Sequence, residues 1–324
     1  MNRGGAAVAS AAVILLLAGC AADGGAERPT PSAAAPSTVF AIDADFPDPD
    51  VVALDQGGFA AFATGGHGLN LRIARSTDLA QWTIENRDVL PRLPAWASPG
   101  RTWAPEVVAA PAPGSGYVMY MTAQDTASGR QCIGVATAAT IDDDFVSASD
   151  QPLVCPVEEG GAIDASTFDD VDGTRYLLWK TDGNCCAEDT WIEMARLSSD
   201  GLSLTDEPVR LIRQALDWEG ALVEAPTLVR RDNRYVLLYS ANDYGGDSYA
   251  VGAATAESIE GPYEKLDEPI LRSAGDLRGP GGQDVVSVDG ADTLVFHSWD
   301  ELYMYRGLVT LPIVWHDGVP RVGD

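Results

Sequence analysis

An apolar run recurs five times along the chain, as Phe59-Ala-Ala-Phe-Ala-Thr64, Tyr117-Val-Met-Tyr-Met-Thr122, Tyr176-Leu-Leu-Trp-Lys-Thr181, Tyr235-Val-Leu-Leu-Tyr-Ser240 and Leu294-Val-Phe-His-Ser298. The starts are 58, 59, 59 and 59 residues apart. A fixed interval of that size means that one supersecondary unit is being repeated. Each run is followed by a polar turn and a second strand-like segment, such as Leu71-Arg-Ile-Ala-Arg75 or Trp191-Ile-Glu-Met-Ala195. These segments are rich in β-branched and aromatic residues, and Gly, Pro and Asp fill the stretches between them. Four short strands in each of five repeats predict an all-β fold, a five-bladed β-propeller, whose radial closure protects sheet edges and leaves a funnel on the axis. A β-sandwich has no reason to repeat at a constant interval. No segment sustains a 3.6-residue apolar period for three capped turns, so helix is expected to be scarce.

The ends of the chain carry a different pattern. Residues 1–19 read as a signal peptide: Arg3 supplies a positive charge, Ala6 to Leu17 an apolar stretch, and Leu17-Ala18-Gly19-Cys20 a small-residue cleavage site ending in cysteine. That ending is the bacterial lipobox pattern, so cleavage before Cys20 and lipidation of its thiol are expected. The apolar stretch is shorter than the roughly 20 residues a membrane-spanning helix needs. Residues 20–38, dominated by Ala, Gly, Pro, Ser and Thr, cannot bury enough apolar surface to order themselves and are expected to be a flexible tether. Residues 39–324 are expected to form the propeller, outside the cytoplasm and lipid-anchored to the cell membrane.

Charge narrows the partners. Forty-eight acidic residues against 21 basic ones give a formal net charge of −27. Such a field repels phosphate backbones and anionic headgroups, which excludes nucleic acid and leaves membrane contact to the lipid anchor alone. Most of these carboxylates are expected simply to solvate the surface, and the protein to act as a monomer. Four cysteines follow Cys20, an even number in an exported chain. Cys132 and Cys155 flank one hairpin-like segment and are the expected disulfide. Cys185 and Cys186 are adjacent, with no second cysteine pair or histidine cluster at zinc-ligand spacing, and their state is left open.

In a propeller the first strand of each blade faces the axis, so a site there collects residues far apart in sequence. Three segments set a carboxylate in an apolar or proline-bounded frame before a repeat: Asp45-Phe-Pro-Asp-Pro-Asp50, Gly161-Ala-Ile-Asp-Ala-Ser-Thr-Phe168 and Leu222-Val-Glu-Ala-Pro-Thr-Leu228. Burial in such a frame would raise a carboxyl pKa unless it is partnered.

At these residues the chain resembles the family 43 glycoside hydrolases, the five-bladed arabinofuranosidases, arabinanases and β-xylosidases. The resemblance rests on Asp48-Pro49, Trp103-Ala-Pro-Glu106, Ile163-Asp164, Glu224-Ala-Pro226, and Arg306 ahead of Trp315-His-Asp-Gly-Val-Pro320. It runs in order from about residue 40 to 322. It implies an inverting glycosidase acting on a carbohydrate substrate, with Asp48 as general base, Glu224 as general acid and Asp164 orienting Glu224 and raising its pKa. Arg306, Trp103 and Phe46 are the implied substrate contacts, although Trp103 equally suits core packing. Glu106 is expected to be structural.

One departure bears on cofactors. Many members of the family carry a late Gly-His motif associated with an axial metal or water, and the corresponding stretch here is Gly279-Pro-Gly-Gly-Gln-Asp284, without histidine. No cofactor is therefore expected, an axial calcium is in doubt, and Gln283 or a water is the expected occupant. His297 lies in a strand-like run and is expected to be core. An exo-α-L-arabinofuranosidase is the leading expectation, with endo-arabinanase and β-xylosidase as neighbours sharing the three acids. A non-catalytic sugar-binding propeller would have no use for all three acids. A fructan-cleaving relative would carry Arg-Asp-Pro and Glu-Cys-Pro motifs, which are missing from the sequence.

Overall fold

A computed structural model describes residues 40–112 and 114–323. The signal peptide, Cys20 and the tether lie outside the described residues. The rest is five four-stranded antiparallel sheets, each a simple meander in chain order. Blade 1 comprises β1 (Asp50–Ala53), β2 (Phe59–Gly66), β3 (Leu69–Ser76) and β4 (Trp82–Ile84). Blade 2 comprises β5 (Ala97–Ala109), β6 (Tyr117–Asp125), β7 (Gln131–Ala138) and β8 (Val146–Ser147). Blade 3 comprises β9 (Ala162–Asp169), β10 (Arg175–Thr181), β11 (Trp191–Arg196) and β12 (Val209–Arg213). Blade 4 comprises β13 (Val223–Arg231), β14 (Arg234–Ala241), β15 (Ala250–Ala256) and β16 (Glu264–Lys265). Blade 5 comprises β17 (Gly281–Val288), β18 (Ala291–Trp299), β19 (Arg306–His316) and β20 (Val319–Val322). The first strands β1, β5, β9, β13 and β17 touch one another in a closed cycle, which is the five-bladed propeller.

The cores lie between blades because each sheet is apolar on both faces, as parallel layers stacked around an axis require. Val118 and Tyr120 of blade 2 meet Leu177 and Trp179 of blade 3, while Tyr176 and Leu178, on the other face of blade 3, meet Leu237 and Tyr239 of blade 4. Trp179 is fully buried, and removing a side chain of that size from water contributes roughly 2–3 kcal/mol. The ring is closed by the segment before β1: Ala41 donates to the Leu308 carbonyl at 2.9 Å, Leu308 to Ile42 at 3.1 Å and Phe46 to Arg306 at 2.8 Å. The chain also joins Cys132 to Cys155, 23 residues apart, beside buried Trp96, and brings the Cys185 and Cys186 sulfurs together as a vicinal disulfide.

One local irregularity repeats with the blades and positions the site. In each first strand three residues oppose two on the second strand, a β-bulge: Trp103 pairs Thr122 while Glu106 pairs Tyr120, and the same offset separates Ile163 from Ser166, Glu224 from Thr227 and Gly281 from Asp284. Blade 1 repeats it just ahead of β1, where Thr64 donates to the Pro47 carbonyl and Asp50 pairs Phe62. The residue inside each bulge has positive φ: Asp48 (53°), Ala104 (40°), Asp164 (56°), Ala225 (48°) and Gly282 (58°). A non-glycine residue there is strained by about 1–2 kcal/mol, and a bulge re-aims the side chains around it. Proline follows at 49, 105 and 226, where its missing N–H costs no ladder bond.

Candidate active site

The bulges turn their residues into one cavity of about 270 Å³ on the axis, lined by Asp48, Asp164, Glu224, Trp103, Arg306 and Tyr244 among others. The three carboxylates expected to converge do so, although they come from blades 1, 3 and 4. Asp48 and Asp164 occupy bulge positions themselves, and Glu224 immediately precedes the bulge of blade 4.

Asp48 is surrounded by polar partners. The Thr64 hydroxyl donates to Oδ2 at 2.6 Å, Arg306 Nη1 stands 3.2 Å from Oδ1, and His297 Nδ1 lies 3.2 Å from the same oxygen. Burial alone would raise its pKa; the Arg306 guanidinium, with the Thr64 hydroxyl, outweighs burial and holds the carboxyl far below the ordinary range. Arg306 is fixed in turn by its carbonyl's bond from Phe46 and by packing on the Tyr244 ring, 5.0 Å from centroid to guanidinium carbon. The His297 imidazole is held below its usual pKa by burial and then by Arg306, so it is neutral near pH 7.

Glu224 sits in a different field. Lys180 Nζ lies 3.0 Å from Oε2, and the Tyr249 hydroxyl donates to Oε1 at 2.8 Å. Lys180 is 1 % exposed, yet Glu224, Asp182 and Asp164 outweigh its burial and keep it protonated. Asp164 Oδ2 accepts the Ala225 N–H at 3.1 Å. Burial, and then the Glu224 charge, push Asp164 well above the ordinary carboxylate range against the pull of Lys180. The shift thus falls on Asp164 itself, while the Glu224 carboxyl is met by the Lys180 ammonium and the Tyr249 hydroxyl.

Two residues beyond each bulge stand Asp50, Glu106, Ser166, Thr227 and Asp284, a second ring that stitches the blades. Asp50 accepts the Val107 N–H at 2.9 Å, Glu106 the Thr167 N–H at 2.7 Å, Asp284 the Val51 N–H at 3.1 Å, and Thr227 donates to the Gln283 carbonyl at 2.7 Å. Burial and mutual repulsion push Glu106 up to about 7 and burial pushes Asp284 up to about 6. The expected structural role for Glu106 fits this belt.

Phe46 does not reach the cavity. It is fully buried, packed with Ile42, Val51 and Leu308 under the Arg72 guanidinium, and it anchors Arg306 through its backbone instead of contacting substrate. Trp103 does line the cavity and stays partly exposed. The Gly279–Asp284 stretch offers no imidazole, and the Gln283 side chain is engaged by the Ser240 hydroxyl and the Ala225 carbonyl, at 2.7 and 2.5 Å. His297 is fully buried, as expected, but it touches Asp48 and so belongs to the site. Lys180, Tyr249 and Thr64 went unnoticed in the sequence because each sits within or beside a strand-like run that reads as core.

Comparison with known proteins agrees with this geometry. The family described as glycosyl hydrolases family 43 matches residues 41–320. A β-D-galactofuranosidase, xynD, of Aspergillus niger is 28 % identical over 68 % of this chain and 64 % of its own length, so the match falls just short of two thirds of that relative. An extracellular endo-α-(1→5)-L-arabinanase of Bacillus subtilis is 25 % identical over 71 % of this chain and 72 % of its own. Among solved structures, a thermostable family-43 glycoside hydrolase superposes with a TM-score of 0.76 at 27 % identity, covering 86 % of this chain and 93 % of that one. With the repeat, the cavity and the match all spanning the same residues, this chain belongs to glycosyl hydrolase family 43.

Proposed function

We propose that the chain is an inverting, exo-acting α-L-arabinofuranosidase, with Asp48 as general base, Glu224 as general acid and Asp164 as the residue that orients Glu224. The observation that carries this reading is the split between the carboxyls around the cavity: Arg306 and Thr64 hold Asp48 ionised, while burial and the Glu224 charge push Asp164 well above the ordinary range. Inversion requires an ionised base on one side of the sugar and a proton available on the other. Water gives a proton to Asp48 as its oxygen bonds to the anomeric carbon; the glycosidic bond breaks and Glu224 gives its proton to the departing oxygen. Arg306 and Trp103 bind the sugar, one through hydroxyls and one by a flat apolar wall.

The names of the Aspergillus and Bacillus relatives above favour a furanose. An α-(1→5) link occupies O5 of arabinose, so the ring closes through O4, and the Aspergillus relative is named for a galactofuranose. β-D-galactofuranose shares its ring configuration with α-L-arabinofuranose and adds one hydroxymethyl carbon, which makes β-D-galactofuranosidase the second reading. 4-Nitrophenyl α-L-arabinofuranoside, β-D-galactofuranoside and β-D-xyloside, beside debranched arabinan, separate these outcomes. Residues 1–38 support export and lipid anchoring at Cys20.

The acid is tested by leaving group. Glu224→Ala should lower turnover of arabino-oligosaccharides by about 10²–10⁴ and cost much less on a 2,4-dinitrophenyl glycoside, whose anion departs unaided. Asp48→Ala should be equally damaging on both. Equal losses for Glu224→Ala on both substrates would remove it from the acid role.

A further inference from the structure

The five joints between blades follow one rule with two exceptions. On each second strand one residue sits level with the bulge: Thr64, Thr122, Lys180, Ser240 and His297. At three joints it is a hydroxyl that accepts the N–H of the bulge residue in the next blade: Thr64 from Ala104 at 2.9 Å, Thr122 from Asp164 at 3.2 Å and Ser240 from Gly282 at 2.9 Å. His297 Nδ1 does the same for Asp48 at 3.1 Å, but an imidazole is larger than a hydroxyl and also faces the Asp48 carboxylate. Lys180 cannot accept at all. The Ala225 N–H goes to Asp164 instead, and the ammonium reaches Glu224.

The exceptions coincide with the joints that lead into blades 1 and 4, the blades of Asp48 and Glu224. We propose that Lys180 and His297 are positioning residues for the reaction: each replaces the hydroxyl that suffices elsewhere and directs its side chain at the carboxylate of the following blade.

Two glycines make the second replacement possible. A Cβ on Gly282 would lie 2.7 Å from His297 Nδ1 and 3.0 Å from Asp48 Oδ1, and one on Gly281 would overlap the Tyr249 ring. Tyr249 stacks on His297 with centroids 5.8 Å apart and planes 7° from parallel, and its hydroxyl bonds Glu224. Base and acid are thus linked through Asp48, His297, Tyr249 and Glu224, a rigid pair of rings between two carboxylates. Facing Glu224 are Lys180, Tyr249 and Asp164, with Asp182 behind Lys180 at 3.3 Å; facing Asp48 are Arg306, His297 and Thr64.

The inference rests on the acid and base assignments above, and its test replaces each exception by the residue that serves the other joints. Lys180→Thr should lower kcat on methyl α-L-arabinofuranoside by about 10–100-fold, the usual range for residues that orient a reacting group. On the 2,4-dinitrophenyl glycoside the loss should be under about threefold, and the basic limb of the pH profile should move up by about one unit as the acid loses its counter-charge. His297→Thr should reduce kcat on both substrates by a similar factor, about tenfold or more. Thermal melting of both variants identifies unfolding, in which case Lys180→Met and His297→Asn are read by the same criteria. A merely structural role would give equal losses on both substrates for Lys180→Thr, and that result, or variants as active as the parent, overturns the proposal. The Asp48→Ala and Glu224→Ala pattern is measured separately, so the assignments can survive while this inference fails.

Discussion

Replacing Arg306 by methionine isolates what holds Asp48 ionised. The guanidinium Nη1 lies 3.2 Å from Asp48 Oδ1, with both side chains open to the cavity at 16 % and 22 % exposure. Coulomb's law at an effective dielectric of about 20 gives roughly 5 kcal/mol for unit charges at that separation, an upper bound because water enters the cavity. Carboxylates beside arginine more typically drop by about 1–3 pKa units, or about 1.4–4 kcal/mol. The sign is fixed: removing the cation raises the Asp48 pKa from far below the ordinary range toward it. The parent enzyme should therefore show no acidic limb from Asp48 within the pH range where it stays folded, whereas Arg306→Met should acquire one in the carboxylate range. KM should also rise at neutral pH, since the proposed sugar contact is lost while Asp48 remains ionised there. The assay is kcat/KM from pH 3 to 8 on an activated glycoside, with folding checked at each pH by circular dichroism. An acidic limb identical in parent and variant would show that Arg306 does not control Asp48.

The belt of Asp50, Glu106 and Asp284 predicts a stability profile of opposite sign. Their folded pKa values lie above the unfolded ones, so the folded state binds more protons and stability should fall as pH rises from about 5 through 7. Melting temperature should follow, and Glu106→Gln should flatten the slope; a melting point that rises over that window would contradict the assignment. Reduction of the Cys132–Cys155 bond should lower stability by about 2–5 kcal/mol, read by denaturant unfolding with and without reductant. Cys20→Ser should release the protein from membranes into the soluble fraction with unchanged activity per molecule, and a variant still pelleting with membranes would remove the lipid anchor.

The chain's own sequence determined the fold class and the three acids. Five strand-rich repeats can bury two-faced sheets only by stacking them around an axis, and Asp48, Asp164 and Glu224 stand in frames that few surface carboxylates share. The interval, however, concealed the register. The bulges pair Ala60, Val118, Tyr176, Val236 and Thr293 with equivalent positions on the first strands, Val52, Val108, Phe168, Val229 and Val286. Alignment by the 59-residue repeat instead matches Tyr176 with Tyr117, one residue off. Side chains alternate faces with a period of two, so that slip exchanges the faces of blade 3. It would put Thr181 beside Thr64, Thr122 and Ser240, and hide Lys180 as a core residue. Phe46 was misplaced for a related reason: an aromatic next to a catalytic motif reads as a sugar contact, and only the packing of the closing segment shows it turned inward. The roles of Lys180, His297, Tyr249 and the glycines at 281 and 282 were decided by tertiary structure alone, because each depends on side chains brought together from different strands. The bonds of Tyr249 to Glu224 and of Asp48 to His297 span 25 and 249 residues and are set by the blade meander, by ring closure and by a bulge in a single positive-φ residue, none of which leaves a periodic signal in the chain.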